Sequence, residues 1–196
     1  MFLKTLTIFD WDDTLFPTIQ YINHNNVEFE RLDYNIYSLF SFILNYSQII
    51  IITDANKEWF IKCIQYLNYT KQLINENQIK ILSTRDIIKE YETIYNKDLL
   101  LKNRKIKIFK CVLLLFPEFN NIISIGDSEK EYEALINLYK INKNESRYFK
   151  NIKLFKYPNS DLIIEEIKLL KNNYFDIYKI RENKDIVVKL NKQIIL

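Results

Sequence analysis

The sequence predicts an α/β/α sandwich around a mainly parallel sheet of five strands or slightly more, and three observations predict it. Short apolar runs alternate with segments whose apolar residues recur every three or four positions. Residues 49–52 are consecutive isoleucines, which suits a central strand buried on both faces. Acidic and hydroxyl residues stand directly after several of the runs, where a parallel sheet presents its ligand-binding edge.

In chain order, the first strand is LKTLTIF (3–9). Leu39, Phe42, Ile43 and Tyr46 then form a stripe at helical spacing, read as a core face. SQIIIIT (47–53) is the second strand, and Phe60, Ile64 and Leu67 mark the helix after it. QIKIL (78–82) is the third strand, with a further helix expected between it and Lys105. Phe109, Val112, Leu113 and Phe116 stripe the next helix, and NIISIG (121–126) is the fourth strand. Tyr132, Leu135, Ile136 and Tyr139 mark another helix before the fifth strand, NIKLF (151–155). In the tail from 174 to 196, DIVVKL reads as an edge strand. Strand–helix–strand alternation implies right-handed crossovers and a Rossmann-like sheet covered on both faces. There is no internal repeat or low-complexity linker, so 1–196 reads as a single domain.

Composition narrows the function classes. A chain of 196 residues with 48% hydrophobic and 27% charged residues has the balance of a globular protein with a substantial core. A net charge of +3 is too small to argue for nucleic acid or a membrane surface as partner. Cys63 and Cys111 lie in apolar, helix-like segments and are expected as buried thiols rather than a disulfide. MFLKTLTIFD runs into the acidic cluster without a leader, and no apolar run approaches the roughly 20 residues of a membrane span, so a cytoplasmic location is expected. Gly126 is the single glycine, which excludes a Walker A loop and a G-x-G-x-x-G fingerprint.

The chemistry-bearing residues gather at the strand exits. LTIFDWDDTLFPT (6–18) sets Asp10, Asp12 and Asp13 side by side, where their charges repel unless a cation or a protonated member holds them. The second strand ends in Thr53 and Asp54, the third in Ser83 and Thr84, and the fourth in Gly126, Asp127 and Ser128. An EF-hand does not fit, because DWDDTLFPT lacks the glycine at the sixth loop position. A receiver domain does not fit either, because the third strand offers no aspartate at its exit. A solvated acidic turn is the plain alternative.

Taken in order, DWDDTL (10–15), IIIITDAN (49–56), a lysine ahead of a helix and SIGDSEKEYEA (124–134) resemble the four motifs of the haloacid dehalogenase-like (HAD) superfamily, in its capless phosphatase branch. The resemblance spans about residues 5–170. It implies that Asp10 is a nucleophile forming an aspartyl phosphate, and that Asp12 is the general acid and base. Thr53 and the backbone at Asp54 and Ala55 would hold phosphate oxygens. Hard oxygen ligands without His or Cys favour Mg²⁺, held by Asp10, the main-chain carbonyl of Asp12 and Asp127. Thr14, Ser128 and Glu131 would support these residues, with Glu131 orienting Asp127 or a metal-bound water. Asp13 is the least committed and is read as a cap for the turn or the helix after it.

The motif lysine comes from LKNRKIKIFK (101–110). Lys105, four before Phe109, fits a W-K-x-x-x-F pattern with Arg104 in place of tryptophan; Lys107 is the reserve, beside Lys102 and Lys110. His24 lies in a polar loop, Trp11 is read as a pocket wall and Trp59 as helix packing; in STRD (83–86), Ser83 or Thr84 is read as a helix cap. Residues 16–47 leave room for a loop and one helix, so the cap domain is minimal or absent. An open site suits a large or macromolecular phosphorylated substrate. The expectation is thus a Mg²⁺-dependent phosphatase of open oligomeric state, with no nucleic acid and no membrane partner. The competing reading is a catalytically inactive HAD-like module that binds phosphate or a protein.

Overall fold

A computed structural model describes residues 3–87, 104–142, 146–189 and 193–195. In chain order the elements are β1 (Thr5–Phe9), α1 (Thr18–Ile22), α2 (Phe29–Ile43), β2 (Ser47–Thr53), α3 (Lys57–Ile64), α4 (Asn68–Glu76), β3 (Lys80–Ser83), α5 (Arg104–Leu115), β4 (Asn121–Gly126), α6 (Glu129–Ile141), β5 (Tyr148–Lys153), α7 (Ser160–Lys179), β6 (Lys184–Lys189) and β7 (Gln193–Ile195). Much of the helix expected between β3 and Lys105 lies outside the described residues, as does Lys102.

The sheet has seven strands in the order β3-β2-β1-β4-β5-β6-β7. β1 through β6 are parallel, and β7 runs antiparallel to β6. The fold is α/β with helices on both faces, a Rossmann-like three-layer sandwich. The strand count is slightly above five, within the expectation from sequence. β6 is an interior strand paired to β5 and β7, not the edge, and its alternating burial is that of a strand with one wet face.

Alternation along the strands feeds two cores. Ile49, Ile51, Ile123, Ile125 and Ile152 pack toward α2, α3, α4 and α7. Ile50, Ile52, Leu6, Ile8 and Ile122 face α5 and α6. β1 is buried at every residue, including two threonines. Thr7 Oγ1 shares hydrogen bonds with Ser47 Oγ (2.7 Å) and Tyr174 OH (2.6 Å), so the hydroxyl is buried without loss. Asn121 donates to Thr5 Oγ1 (2.8 Å) and accepts from Lys150 Nζ (2.7 Å). Burial pulls the Lys150 ammonium down to about 8.

Two helix assignments shift in phase, those of α2 and α6, while the α5 stripe Phe109, Val112, Leu113 and Phe116 is buried as expected. The buried seam of α2 is Leu32, Ile36, Leu39, Phe40 and Ile43, leaving Phe42 and Tyr46 partly buried. That of α6 is Ala134, Leu135 and Leu138, and Tyr139 is 40% exposed; the large aromatics lie on its outer flank. In α5 the buried residues 105, 108, 109, 112 and 113 put Cys111 on the opposite side, so it is exposed rather than buried, while Cys63 is buried; both are free thiols. Left-handed backbone occurs at Asp13, His24, Gln78 and Tyr157, and not at the glycine. Among the described residues no helix is long and apolar enough to cross a membrane.

Candidate functional site

The strand order reverses between β1 and β4, and the chain exits of those two strands form the crevice in which open parallel sheets bind ligands. Asp10 follows β1, and its amide donates to Ile125 O of β4 at 2.9 Å. Asp127 follows β4. The backbone thus carries the two carboxylates to adjacent strand ends.

Asp10, Asp127 and Glu131 are all buried, and each offers an oxygen within 4.8 Å of the others. Lys105 enters from the first turn of α5, only 2% exposed, and its ammonium lies 2.6 Å from Asp10 Oδ1. It also pairs with Glu131 Oε1. Lys107 is half-buried and Lys110 exposed. Burial pushes the Asp10 carboxyl well above the ordinary range, with Lys105 pulling against it and Glu131 adding to it. Burial works against the charge on Lys105, but Asp10 and Glu131 outweigh it and hold the ammonium protonated well beyond its usual range. Asp127 is pushed up to about 6, by burial first and then by Glu131 and Asp13.

Glu131 is fixed by the start of its own helix. Ser128 is the N-cap of α6, and its amide (3.1 Å) and hydroxyl (2.6 Å) both donate to Glu131 Oε2. Glu131 therefore supports Lys105 and the helix terminus. The S-x-x-E spacing of 128–131 is the signal that announces this cap. Gly126 makes room for it: a Cβ there would sit 2.5 Å from Glu131 Cγ and 2.8 Å from Oε2. The glycine serves clearance, not a left-handed turn.

Asp12 points to different company. Its Oδ1 accepts from Thr18 Oγ1 (2.7 Å) and Trp59 Nε1 (2.8 Å), and its Oδ2 from Thr53 Oγ1 (2.8 Å). Thr53 Oγ1 in turn accepts from the Ala55 amide at 3.0 Å. Trp59 thus does more than pack α3, and neither Thr18 nor Trp59 carried a motif by which sequence reading would find it. Asp13 accepts from the Ile19 amide (3.0 Å) and so caps the start of α1. Thr14 is buried, its hydroxyl without a hydrogen-bond partner among the described residues. Trp11 is fully buried against Phe60 (4.5 Å between centroids) and Phe16, a core residue rather than a pocket wall.

Asp54 closes the rim. It accepts from Thr84 Oγ1 and Lys130 Nζ, each at 2.6 Å, with Arg104 Nε at 3.9 Å. Burial opposes ionisation of Asp54, but Lys105, Lys130 and Thr84 prevail and hold its carboxyl below the ordinary range. Ser83 Oγ accepts from the Asp86 amide (3.1 Å), capping the helical turn at 84–87. His24 is exposed in the turn after α1. Beneath the site Glu166 of α7 is 1% exposed; Oε1 accepts from the Phe155 amide (2.7 Å), and burial pushes the carboxyl up to about 8.

The donor set suits a hard dication. The Asp10, Asp127 and Glu131 carboxylates set against one ammonium leave negative charge in a buried crevice, and all the ligands are oxygens. No protein-family model and no curated protein matches the sequence. A solved structure to which the chain is similar is that of a protein of unknown function from Vibrio parahaemolyticus, at a TM-score of 0.45 and 8% identity, covering 98% of this chain and 97% of that one.

Proposed function

We propose that this protein is a Mg²⁺-dependent phosphatase of the haloacid dehalogenase-like kind, hydrolysing a phosphate monoester through an aspartyl phosphate on Asp10. One observation carries the reading: Lys105 reaches Asp10 beside Asp127 and Glu131 at the exits of β1 and β4. A binding module would need the lysine and the switch-point crevice, but not a second aspartate two residues past the first. Asp10, Asp127 and the main-chain carbonyl of Asp12 would hold the ion. When bound, Mg²⁺ neutralises phosphoryl charge and draws the Asp10 carboxyl down to its ionised form.

The chain's own residues divide the remaining work. Asp10 forms the bond to phosphorus as the bond to the leaving oxygen breaks, and Asp12 gives that oxygen its proton. In the second step water forms the new bond to phosphorus, its proton returns to Asp12, and Asp10 leaves. Lys105 offsets the charge shared between Asp10 and the phosphoryl group. The amides at Asp54 and Ala55 would hold phosphate oxygens, with the Thr53 hydroxyl standing between them and Asp12. Residues 16–47 hold α1 and α2 rather than a cap domain, and an uncapped crevice would suit a large phosphorylated substrate.

Hydrolysis of 4-nitrophenyl phosphate, with and without Mg²⁺ and beside Asp10→Asn, tests the reading. Turnover that needs the ion and is lost in the variant is expected. Turnover that survives in Asp10→Asn would refute the mechanism. Absence of turnover in the unmodified protein would leave the phosphate-binding module as the better reading.

A further inference from the structure

We propose that Thr18 and Trp59 are positioning residues that decide which oxygen of Asp12 exchanges protons with the leaving group; this rests on the phosphatase reading above. A carboxylate offers about four lone-pair sites, two on each oxygen. Both sites on Asp12 Oδ1 are taken, by Thr18 Oγ1 at 2.7 Å and Trp59 Nε1 at 2.8 Å. One site on Oδ2 is taken by Thr53 Oγ1 at 2.8 Å. Among the described residues, the site left free is the second lone pair of Oδ2.

Donor chemistry makes the assignment one-sided. An indole N–H only donates and so fills one site of Oδ1, and the Thr18 hydroxyl gives its hydrogen to the second, since its other acceptor, Phe16 O, lies farther away at 3.5 Å. The Thr53 hydroxyl already accepts from the Ala55 amide, which turns its own hydrogen toward Oδ2. A proton carried by Asp12 therefore sits on Oδ2, and this O–H bond breaks as the leaving oxygen takes the proton. Hydrolysis reverses the transfer through the same atom.

The clamp is assembled from separate elements. Thr18 opens α1, and Trp59 stands in the first turn of α3, where its amide donates to the Asn56 cap at 3.0 Å. The indole is held edge-on by Phe16 (6.5 Å) and Tyr21 (6.1 Å). α1 and α3 meet at Asp12 because both donate to one oxygen. Loss of either donor frees Oδ1 to take the proton or frees the carboxyl to rotate. The chemical step then loses its proton donor while the nucleophile and cation ligands stay in place.

The test uses the full chain with Mg²⁺ and two esters: 4-nitrophenyl phosphate, whose leaving group needs little protonation, and phenyl phosphate, whose leaving group needs more. The measured quantity is kcat/KM, which reports the first, phosphoryl-transferring step. Trp59→Phe and Thr18→Val are each expected to lose about tenfold more on phenyl than on 4-nitrophenyl phosphate, a part of the range general acids supply. Thr18→Ser, which restores a hydroxyl, should recover the ester ratio relative to Thr18→Val. An equal loss on both esters in the two variants would mean that these residues only pack, and would overturn the proposal. Should Trp59→Phe fail to fold by circular dichroism, the Thr18 pair decides alone. Absence of Asp10-dependent turnover in the unmodified protein would instead remove the phosphatase reading, and the proposal with it.

Discussion

Lys105→Met removes an ammonium paired with two buried carboxylates and keeps the volume of the side chain. The Lys105, Asp10 and Glu131 side chains are 3%, 6% and 3% exposed, so water cannot take over the pairing without reorganising the crevice. Breaking a buried pair from one side costs about 3–5 kcal/mol. At an unfolding entropy of about 2 cal/mol/K per residue, a chain of this length loses about 10 °C of melting temperature for a cost of about 4 kcal/mol. Thermal unfolding by far-ultraviolet circular dichroism at pH 7 with chelator present measures it. Two further features separate this mechanism from simple loss of packing. Protonation relieves the stranded carboxylates, so the deficit should shrink as the pH falls toward 5. Added Mg²⁺ should return part of the lost stability, because Asp10, Asp127 and Glu131 lie within 4.8 Å of one another. A melting temperature within about 2 °C of the unmodified protein, at ordinary cooperativity, would refute the account of the buried pair.

Four other outcomes follow from the same geometry. Asp12→Asn should slow turnover by roughly 10²–10⁴-fold, yet leave Mg²⁺ affinity by isothermal titration close to that of the unmodified protein, because its side chain bonds Thr18, Thr53 and Trp59 rather than the acidic cluster. Asp127 is pushed up to about 6, so Mg²⁺ affinity should rise with pH through that value; Asp127→Asn should remove that part of the rise, while Asp10, also raised, keeps its own share. Glu166 binds its proton up to about 8 when folded but releases it near 4.5 when unfolded, so the folded state loses up to about 5 kcal/mol of stability as pH rises across that window. Glu166→Gln should flatten that decline in urea titrations at pH 5, 7 and 8. Gly126→Ala should cost about 1–3 kcal/mol by overpacking and lower kcat, because the new methyl displaces Glu131 from Lys105 and Ser128.

What the sequence reveals here depends on whether the information is local. The apolar runs ending in Asp10, Thr53 and Asp127 locate β1, β2 and β4, since a fully buried parallel strand carries its burial in composition alone. The crevice follows from topology once those strand ends are placed. β7 is short, and the pairing that makes β6 an interior strand is set by a neighbour that shows no pattern of its own. The phase of α6 is hidden because tyrosine counts as apolar in a periodicity count yet rests well on an exposed flank. The partners of Asp12 are the hardest case. Trp59 lies 47 positions away, and its role arises only when α3 packs beside the loop after β1. The salt bridge of Lys105 to Glu131 is similarly non-local, whereas the Ser128 cap that holds the same glutamate is written within four residues.

The left-handed turns carry a practical consequence. His24, Gln78 and Tyr157 adopt φ values of 57°, 51° and 56°, all three exposed and none among the groups that touch Asp10 or Asp12. Side chains other than Asn or Asp disfavour that conformation by roughly 1–2 kcal/mol, an amount that glycine's greater freedom when unfolded only partly offsets. Thermal robustness could therefore be engineered at the periphery by glycine replacement, leaving the crevice chemistry as evolution set it.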